Sequence, residues 1–250
     1  MTLFIILPAY NEYQSISPLF TRLKQFKEKS CIPIQLILVD DGSTDGTPEI
    51  AREKAQVLGL SIKLVQHIKN TGLGQAIRTG LTTFIEIAND DDCVATIDCD
   101  NTQPPELLDI MYKLVTEDNY DIIIASRYQR GSRVVGLSAF RVIMSYGASC
   151  LFQLLLPIPR VKDYTCGFRV YKFSFLRKLF THYGDALFSE DGFACMVDLL
   201  LKSRQLNPKV AEVPMILRYD QKPTATKMKI FRTVFQTVKL LIKHKIGIFD

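Results

Sequence analysis

Asp98 and Asp100 stand two residues apart at the end of the apolar run 94–97. On an extended segment alternate side chains share a face, so both carboxylates point the same way. Two carboxylates side by side repel unless a proton or a cation lies between them. Hard oxygen donors suit Mg²⁺ or Mn²⁺, and such ions are usually completed by substrate phosphates. The pair therefore predicts a divalent ion bridging to a diphosphate. Two more polar clusters close apolar runs in the same way: Tyr10-Asn11-Glu12 after 3–7, and Asp40-Asp41 after 35–39. Turns also use Asp and Gly. The recurrence at three run ends is what points to chemistry.

Other chemistries lack their residues. Gly72-Leu73-Gly74 opens like a dinucleotide loop, but the third glycine is replaced by Ile77, which disfavours a nicotinamide enzyme. There is no phosphate-binding P-loop and no G-x-S-x-G elbow. His67, His182 and His244 are far apart in sequence. Each reads as structural or surface rather than as a metal ligand.

These clusters must be held by elements, and the pattern supplies them. Apolar runs at 3–7, 35–39, 62–66, 94–97 and 121–125 read as strands, and the stretches 15–29, 44–58, 74–88 and one opening at Pro104-Pro105-Glu106 as helices. Alternation of short strands with longer helices predicts an α/β fold, a mostly parallel sheet covered on both faces. In such sheets ligands bind outside the carboxyl ends of the strands, where the three clusters lie. Beyond about residue 130 the pattern changes. Residues 134–159 carry one charge, Arg141, and read as an apolar or interfacial helix. Strands are expected at 168–171 and 211–218 and a helix at 194–202. Residues 227–245 form a basic amphipathic helix, with two readings: docked on its own domain, or lying on a membrane surface.

Composition bounds the rest. A chain of 250 residues, 47% hydrophobic and 23% charged, has an ordinary globular make-up and can bury a core without disulfides. A net charge of +5 permits anionic partners but selects none, and no basic run interleaved with aromatics argues for nucleic acid outside the tail. The six cysteines form no CxxC pair, as expected of thiols in a reducing compartment. The opening apolar run is too short for a signal core, and no run of about 18 apolar residues predicts a membrane span.

The stretches LPAYNE (7–12), LVDDGSTDGT (38–47), NTGLGQAIRTG (70–80) and IDCDNTQPPE (97–106) resemble glycosyltransferase family 2, which has the GT-A fold. ASRYQRG (125–131), DYTCGFRVY (163–171) and EVPMILRY (212–219) are similar to the dolichol-phosphate mannose synthase branch, which includes polyprenyl-phosphate sugar transferases. The resemblance runs from about residue 3 to 230. It implies one GT-A domain over 1–226, its nucleotide-binding half about 1–110 and its acceptor half about 111–226, followed by the helical tail 227–250.

The resemblance also implies roles. Pro8, Tyr10 and Glu12 would line the nucleotide pocket. Val39 and Asp41 would border the base, and the Cys99 backbone would sit near the ribose. Asp98 and Asp100 would bind Mg²⁺ or Mn²⁺. Arg218 and Lys227 would close over the diphosphate. Arg127, Arg141 and Arg169 are candidates for the acceptor phosphate. Asp100, Arg127 and Asp198 form the catalytic set, with Asp198 or Asp191 as base if the acceptor is a hydroxyl. Thr102 stands where the family often has glutamine, and Gln103 follows one residue later. The implied activity is inverting transfer of a hexose from GDP-mannose or a UDP-hexose to polyprenyl phosphate, at the cytoplasmic face of a membrane. A homo-oligomer or a membrane-protein partner is compatible with this. The alternatives are a soluble transferase acting on a hydroxyl of a glycan, glycolipid or protein, and a non-catalytic nucleotide-binding relative.

Overall fold

Short runs of Ile, Leu and Val suit strands buried on both faces, because branched side chains pack well on a pleated surface. In the computed structural model they become β1 (Leu3–Ala9), β2 (Ile34–Asp40), β3 (Ile62–Gln66), β4 (Cys93–Thr96) and β5 (Ile122–Ser126). Between them run α1 (Tyr13–Ser30), α2 (Thr47–Leu58), α3 (Leu73–Ile87) and α4 (Leu108–Thr116), the last preceded by the 3₁₀ turn Pro105–Leu107. The second half adds β6 (Arg133–Val135), α5 (Ala139–Leu155), β7 (Arg169–Lys172), α6 (Phe173–Tyr183), α7 (Ala194–Arg204), β8 (Val210–Pro214), β9 (Ile216–Arg218) and α8 (Ile230–Lys245). The structure describes residues 1–192, 194–223 and 230–246, with side chains in the last stretch at 236 and 239–246.

Seven strands form one sheet in the order β3-β2-β1-β4-β7-β5-β8, and β6 pairs with β9 apart from it. All neighbours in the large sheet are parallel except β7, which is antiparallel to both β4 and β5. The register sets the site. Ala9 lies opposite Asp40, and Ile6 opposite Thr96. The chain therefore leaves β1, β2 and β4 at one edge, and the three polar clusters emerge side by side. One buried hydrophobic cluster runs from Leu3 and Ile5 through Leu36, Ile123 and Val170 to Leu199 and Leu241.

Three elements differ from the pattern-based expectation. The expected strand 211–218 is two strands. Pro214 ends β8, and at Met215 the pairing changes partner: its N–H donates to Ser126 and its carbonyl accepts from Arg133. β9 then pairs with β6 instead of β5. The helix expected over 134–159 is confined to Ala139–Leu155, because β6 and Gly136 occupy its start. α6 was not expected, although it buries Phe173, Leu176 and Leu179 at helical spacing.

Candidate active site

The turn after β4 is held by its own side chains. The Asp98 N–H donates to Gln103 Oε1 at 3.0 Å, and Gln103 Nε2 donates to Asp98 Oδ2 at 2.8 Å. Asp100 Oδ1 accepts from the Thr102 N–H at 3.1 Å and from its hydroxyl at 2.7 Å. Each acid thus has its own brace, which gives Thr102 and Gln103 separate positioning roles. Burial and the neighbouring Asp100 charge push the Asp98 carboxyl up to about 7, against the pull of Lys222. Lys222 Nζ lies 2.6 Å from Asp100 Oδ2. No local spacing points to Lys222, which is 122 positions away from its partner.

The donor chemistry of this turn fits a hard divalent ion. Two oxygen-only side chains sit together, one of them reluctant to ionise, and a cation has been drawn onto the other. Among the described residues no three His, Cys, Asp or Glu side chains are grouped so that they could hold a metal ion by themselves. An ion held by Asp98 and Asp100 would therefore keep positions for phosphate oxygens and water.

At the neighbouring strand ends, Asp41 is fully engaged. Its Oδ1 accepts from the Thr71 N–H at 2.9 Å and the Thr71 hydroxyl at 2.7 Å, and lies 2.8 Å from His67 Nδ1; its Oδ2 accepts from the Gly72 N–H at 2.7 Å. It pins the 67–72 turn at the start of α3. Gly42 makes this close packing possible. Its φ is +73°, and a Cβ there would meet the Lys69 carbonyl carbon at 2.6 Å. Val39 and Cys99 are buried, and Tyr10 is exposed. Glu12 is buried, with Oε2 accepting from the Ser15 hydroxyl at 2.8 Å.

The expected cations separate into three groups. Arg127 and Arg141 line the same cavity as Asp98. Arg127 is also forked onto the buried Asp163, with Nε at 2.8 Å and Nη2 at 2.6 Å. Burial alone would raise the Asp163 carboxyl; the Arg127 charge and hydrogen bonds win and hold it below its usual range. Arg218 is exposed and forked onto Asp220, at 2.9 and 2.8 Å. Arg169 departs from the expectation of a phosphate ligand. It is wholly buried, donating to the carbonyls of Met196 at 2.5 Å and Tyr164 at 2.8 Å, which makes it a clamp inside the core. Lys227 lies outside the described residues.

Asp198 also departs from its expected place. It is buried between Lys202 Nζ at 2.7 Å and His244 Nε2 at 2.9 Å, and does not line the cavity. Burial opposes its charge, but the His244 hydrogen bond and the Lys202 charge keep its carboxyl below the usual range. A group so fully paired is a poor general base. Asp191 is exposed, in a loop packed onto the start of α3, where a Cβ on Gly74 would meet the Glu190 carbonyl at 2.6 Å.

The cavity itself measures about 450 Å³. Asp98, Thr102, Gln103, Arg127 and Arg141 supply its polar lining, and Pro8 also borders it. Ile143, Met144 and Leu151 of α5, Met196 and Val197 of α7, Leu217, and Leu241 of α8 form an apolar wall. The cavity therefore joins the Asp98 carboxylate and two guanidinium groups to a greasy surface.

Comparison with known proteins agrees with this arrangement. Residues 4–180 match the model of glycosyl transferase family 2. The chain is 30% identical over 215 residues to a dolichol-phosphate mannosyltransferase from Pyrococcus furiosus, covering 86% of this chain and 56% of that protein, so it spans a little over half of that relative's length. It is 28% identical to an undecaprenyl-phosphate mannosyltransferase from Micrococcus luteus, over 86% of this chain and 83% of that one. Glucosyl-3-phosphoglycerate synthase from Mycobacterium tuberculosis, solved with Mn²⁺, UDP and glucosyl-3-phosphoglycerate, shares the fold at a TM-score of 0.66 and 20% identity, covering all of this chain and 81% of that one. The same enzyme has been solved with Mg²⁺ and UDP, at a TM-score of 0.65. With its seven-stranded, mostly parallel sheet and its acidic turn at the strand ends, the chain belongs to glycosyl transferase family 2 and is a glycosyltransferase of the GT-A fold.

Proposed function

We propose that the enzyme moves a hexose from a nucleotide sugar, GDP-mannose or a UDP-hexose, to polyprenyl phosphate at a membrane surface, inverting the anomeric centre. The observation that carries this reading is that Asp98, Arg127 and Arg141 share one cavity with an apolar wall. A lipid phosphate needs both: cations for its head and a greasy surface for its first carbons. The names of the Pyrococcus and Micrococcus relatives support the same acceptor class.

Residues 1–110 carry the donor side in this proposal. Pro8, Tyr10, Glu12, Val39 and Cys99 border the nucleotide, and Asp41 shapes that border through the 67–72 turn. Asp98 and Asp100 would hold Mg²⁺ or Mn²⁺, which supplies positive charge to the departing diphosphate. Thr102 and Gln103 keep the two carboxylates aimed, so little reorganisation is needed at the moment of reaction. Residues 111–226 carry the acceptor side. A phosphate monoester has its second pKa near 6, so at pH 7 the attacker is already largely anionic and needs no strong base. Arg141 and Arg127 have only to hold it.

The membrane part of the proposal rests on α5. Phe140, Ile143, Tyr146 and Leu154 are exposed on it, at 59, 67, 54 and 78% of their surface. Arg130, Arg133 and Arg160 are exposed in the flanking segments. An apolar face edged by cations suits an anionic lipid surface. Among the described residues no helix is long and apolar enough to cross a membrane.

The test uses the full chain with Mn²⁺, labelled GDP-mannose or UDP-glucose, and vesicles carrying undecaprenyl phosphate. Label should pass into the organic phase and depend on the lipid phosphate. Label transferred only to a water-soluble hydroxyl acceptor would overturn the lipid reading.

A further inference from the structure

We propose that Lys222 is the resident counter-ion of the Asp98–Asp100 pair and is exchanged for the divalent ion when the nucleotide arrives. The proposal rests on the metal reading given above. Its basis is the 2.6 Å contact between Lys222 Nζ and Asp100 Oδ2, with each side chain only 13% exposed. Thr102 occupies the other oxygen of Asp100. The ammonium therefore covers the carboxylate oxygen that the brace leaves available.

The contact is built rather than incidental. The segment that carries Lys222 is strapped to the acidic turn at several points. The Arg218 N–H donates to the Thr102 carbonyl at 2.9 Å. Arg22 Nη1 donates to Asn101 Oδ1 at 3.1 Å and reaches Gln221 Oε1 at 3.5 Å, which joins turn and strap through one guanidinium. On the far side Gly136 lies so close that a Cβ there would meet the Asp220 nitrogen at 2.6 Å. Tyr219 lines the cavity. Position 222 is thereby set over Asp100.

Charge then dictates an exchange. A divalent ion shared by both carboxylates cannot keep an ammonium on the same oxygen, because two cations in contact repel strongly where water is scarce. Lys222 must swing away, and its flexible four-carbon stem allows this. A diphosphate entering with the ion gives the released ammonium a new anionic partner. Without nucleotide, the ion has to displace Lys222 with nothing to receive it. Lys222 thus weakens binding of the ion alone and couples it to nucleotide binding, and by linkage the coupling is reciprocal.

Mn²⁺ binding to the full chain, followed by electron paramagnetic resonance or calorimetry, tests this without any turnover. Without nucleotide, Lys222→Met should bind Mn²⁺ about tenfold more tightly than the native chain, and Lys222→Arg should stay near native. Added UDP, or GDP in a parallel series, should tighten Mn²⁺ binding to the native chain by a larger factor than to Lys222→Met. Circular dichroism would show that the variants are folded. Equal or weaker Mn²⁺ binding by Lys222→Met overturns the exchange and leaves the metal reading intact. No Mn²⁺ binding by any form, with or without nucleotide, overturns the metal reading and the exchange with it.

Discussion

At the scale of single residues, the paired acids and the buried ion pair make different demands. Asp100 holds the Thr102 brace and the Lys222 ammonium at once. Asp100→Asn keeps the shape but removes the charge. We expect sugar transfer to fall by about 10²–10³-fold, the cost of losing one preorganised electrostatic group, with circular dichroism unchanged. Near-native turnover in that variant would exclude a metal role for the pair. Asp163 makes a stability demand instead. Asp163→Asn leaves the Arg127 guanidinium without its charge partner, at a cost of about 3–5 kcal/mol, read from urea unfolding at pH 7. The sign with pH follows from the lowered carboxyl. Its contribution is fully present above the ordinary value of 3.8 and is lost as pH falls through the lower folded value. The native chain should therefore lose stability on acidification more steeply than Asp163→Asn. The acids of the turn were legible because they are neighbours at a run end. Asp163 lies 36 positions from Arg127, and no local spacing encodes such a partnership.

At the scale of elements, the first half was legible and the second less so. β1, β2, β4 and β5 are buried on both faces and β3 is a half-buried edge strand; short apolar runs between longer amphipathic stretches have one good solution, strands joined by crossover helices. The break at Met215 had no such signal, because it depends on β6, a three-residue strand some 80 positions earlier. Arg169 and Asp198 were misjudged for a related reason. Their residue types suggest a site, but β7 and α7 turn both side chains inward, where main-chain carbonyls hold the two terminal nitrogens of Arg169 and Lys202 and His244 pair with Asp198. For the tail, the structure supports docking: Leu240 and Leu241 of α8 are buried, and His244 reaches Asp198 at 2.9 Å. Removing that buried hydrogen bond with His244→Ala costs about 1–3 kcal/mol. Since each kcal/mol is worth roughly 2–4 °C in a chain of this size, scanning calorimetry should show Tm lowered by several degrees. Among the described residues α5 carries a set of exposed apolar side chains, Phe140, Ile143, Tyr146, Leu151 and Leu154. A Phe140→Glu, Leu154→Glu variant should lose most of its sedimentation with anionic vesicles while keeping its Tm. Equal sedimentation of variant and native chain would remove α5 from the membrane proposal.

At the scale of the whole molecule, the question is whether the proposed donor and acceptor halves are separable. Strand order says that they are not. β7 arises at residue 169, far into the acceptor half, yet it pairs with β4 on one side and β5 on the other. It is the seam of the sheet, and both halves depend on it. Val170 lies opposite Ala95 and Ile123, and all three are wholly buried. A fragment ending near residue 110 would leave the apolar edge of β4 unpaired, a template for aggregation. It would also expose the face of Phe84 that packs edge-on against Phe173, at 5.7 Å between ring centroids. The intact chain should therefore unfold in urea as one cooperative transition, with far-ultraviolet circular dichroism and tyrosine fluorescence reporting the same midpoint. The fragment 1–110 should aggregate or remain largely unfolded. Two separated midpoints, or a soluble fragment with native-like circular dichroism, would show that the nucleotide-binding half stands on its own, and that the antiparallel seam stabilises only the acceptor side.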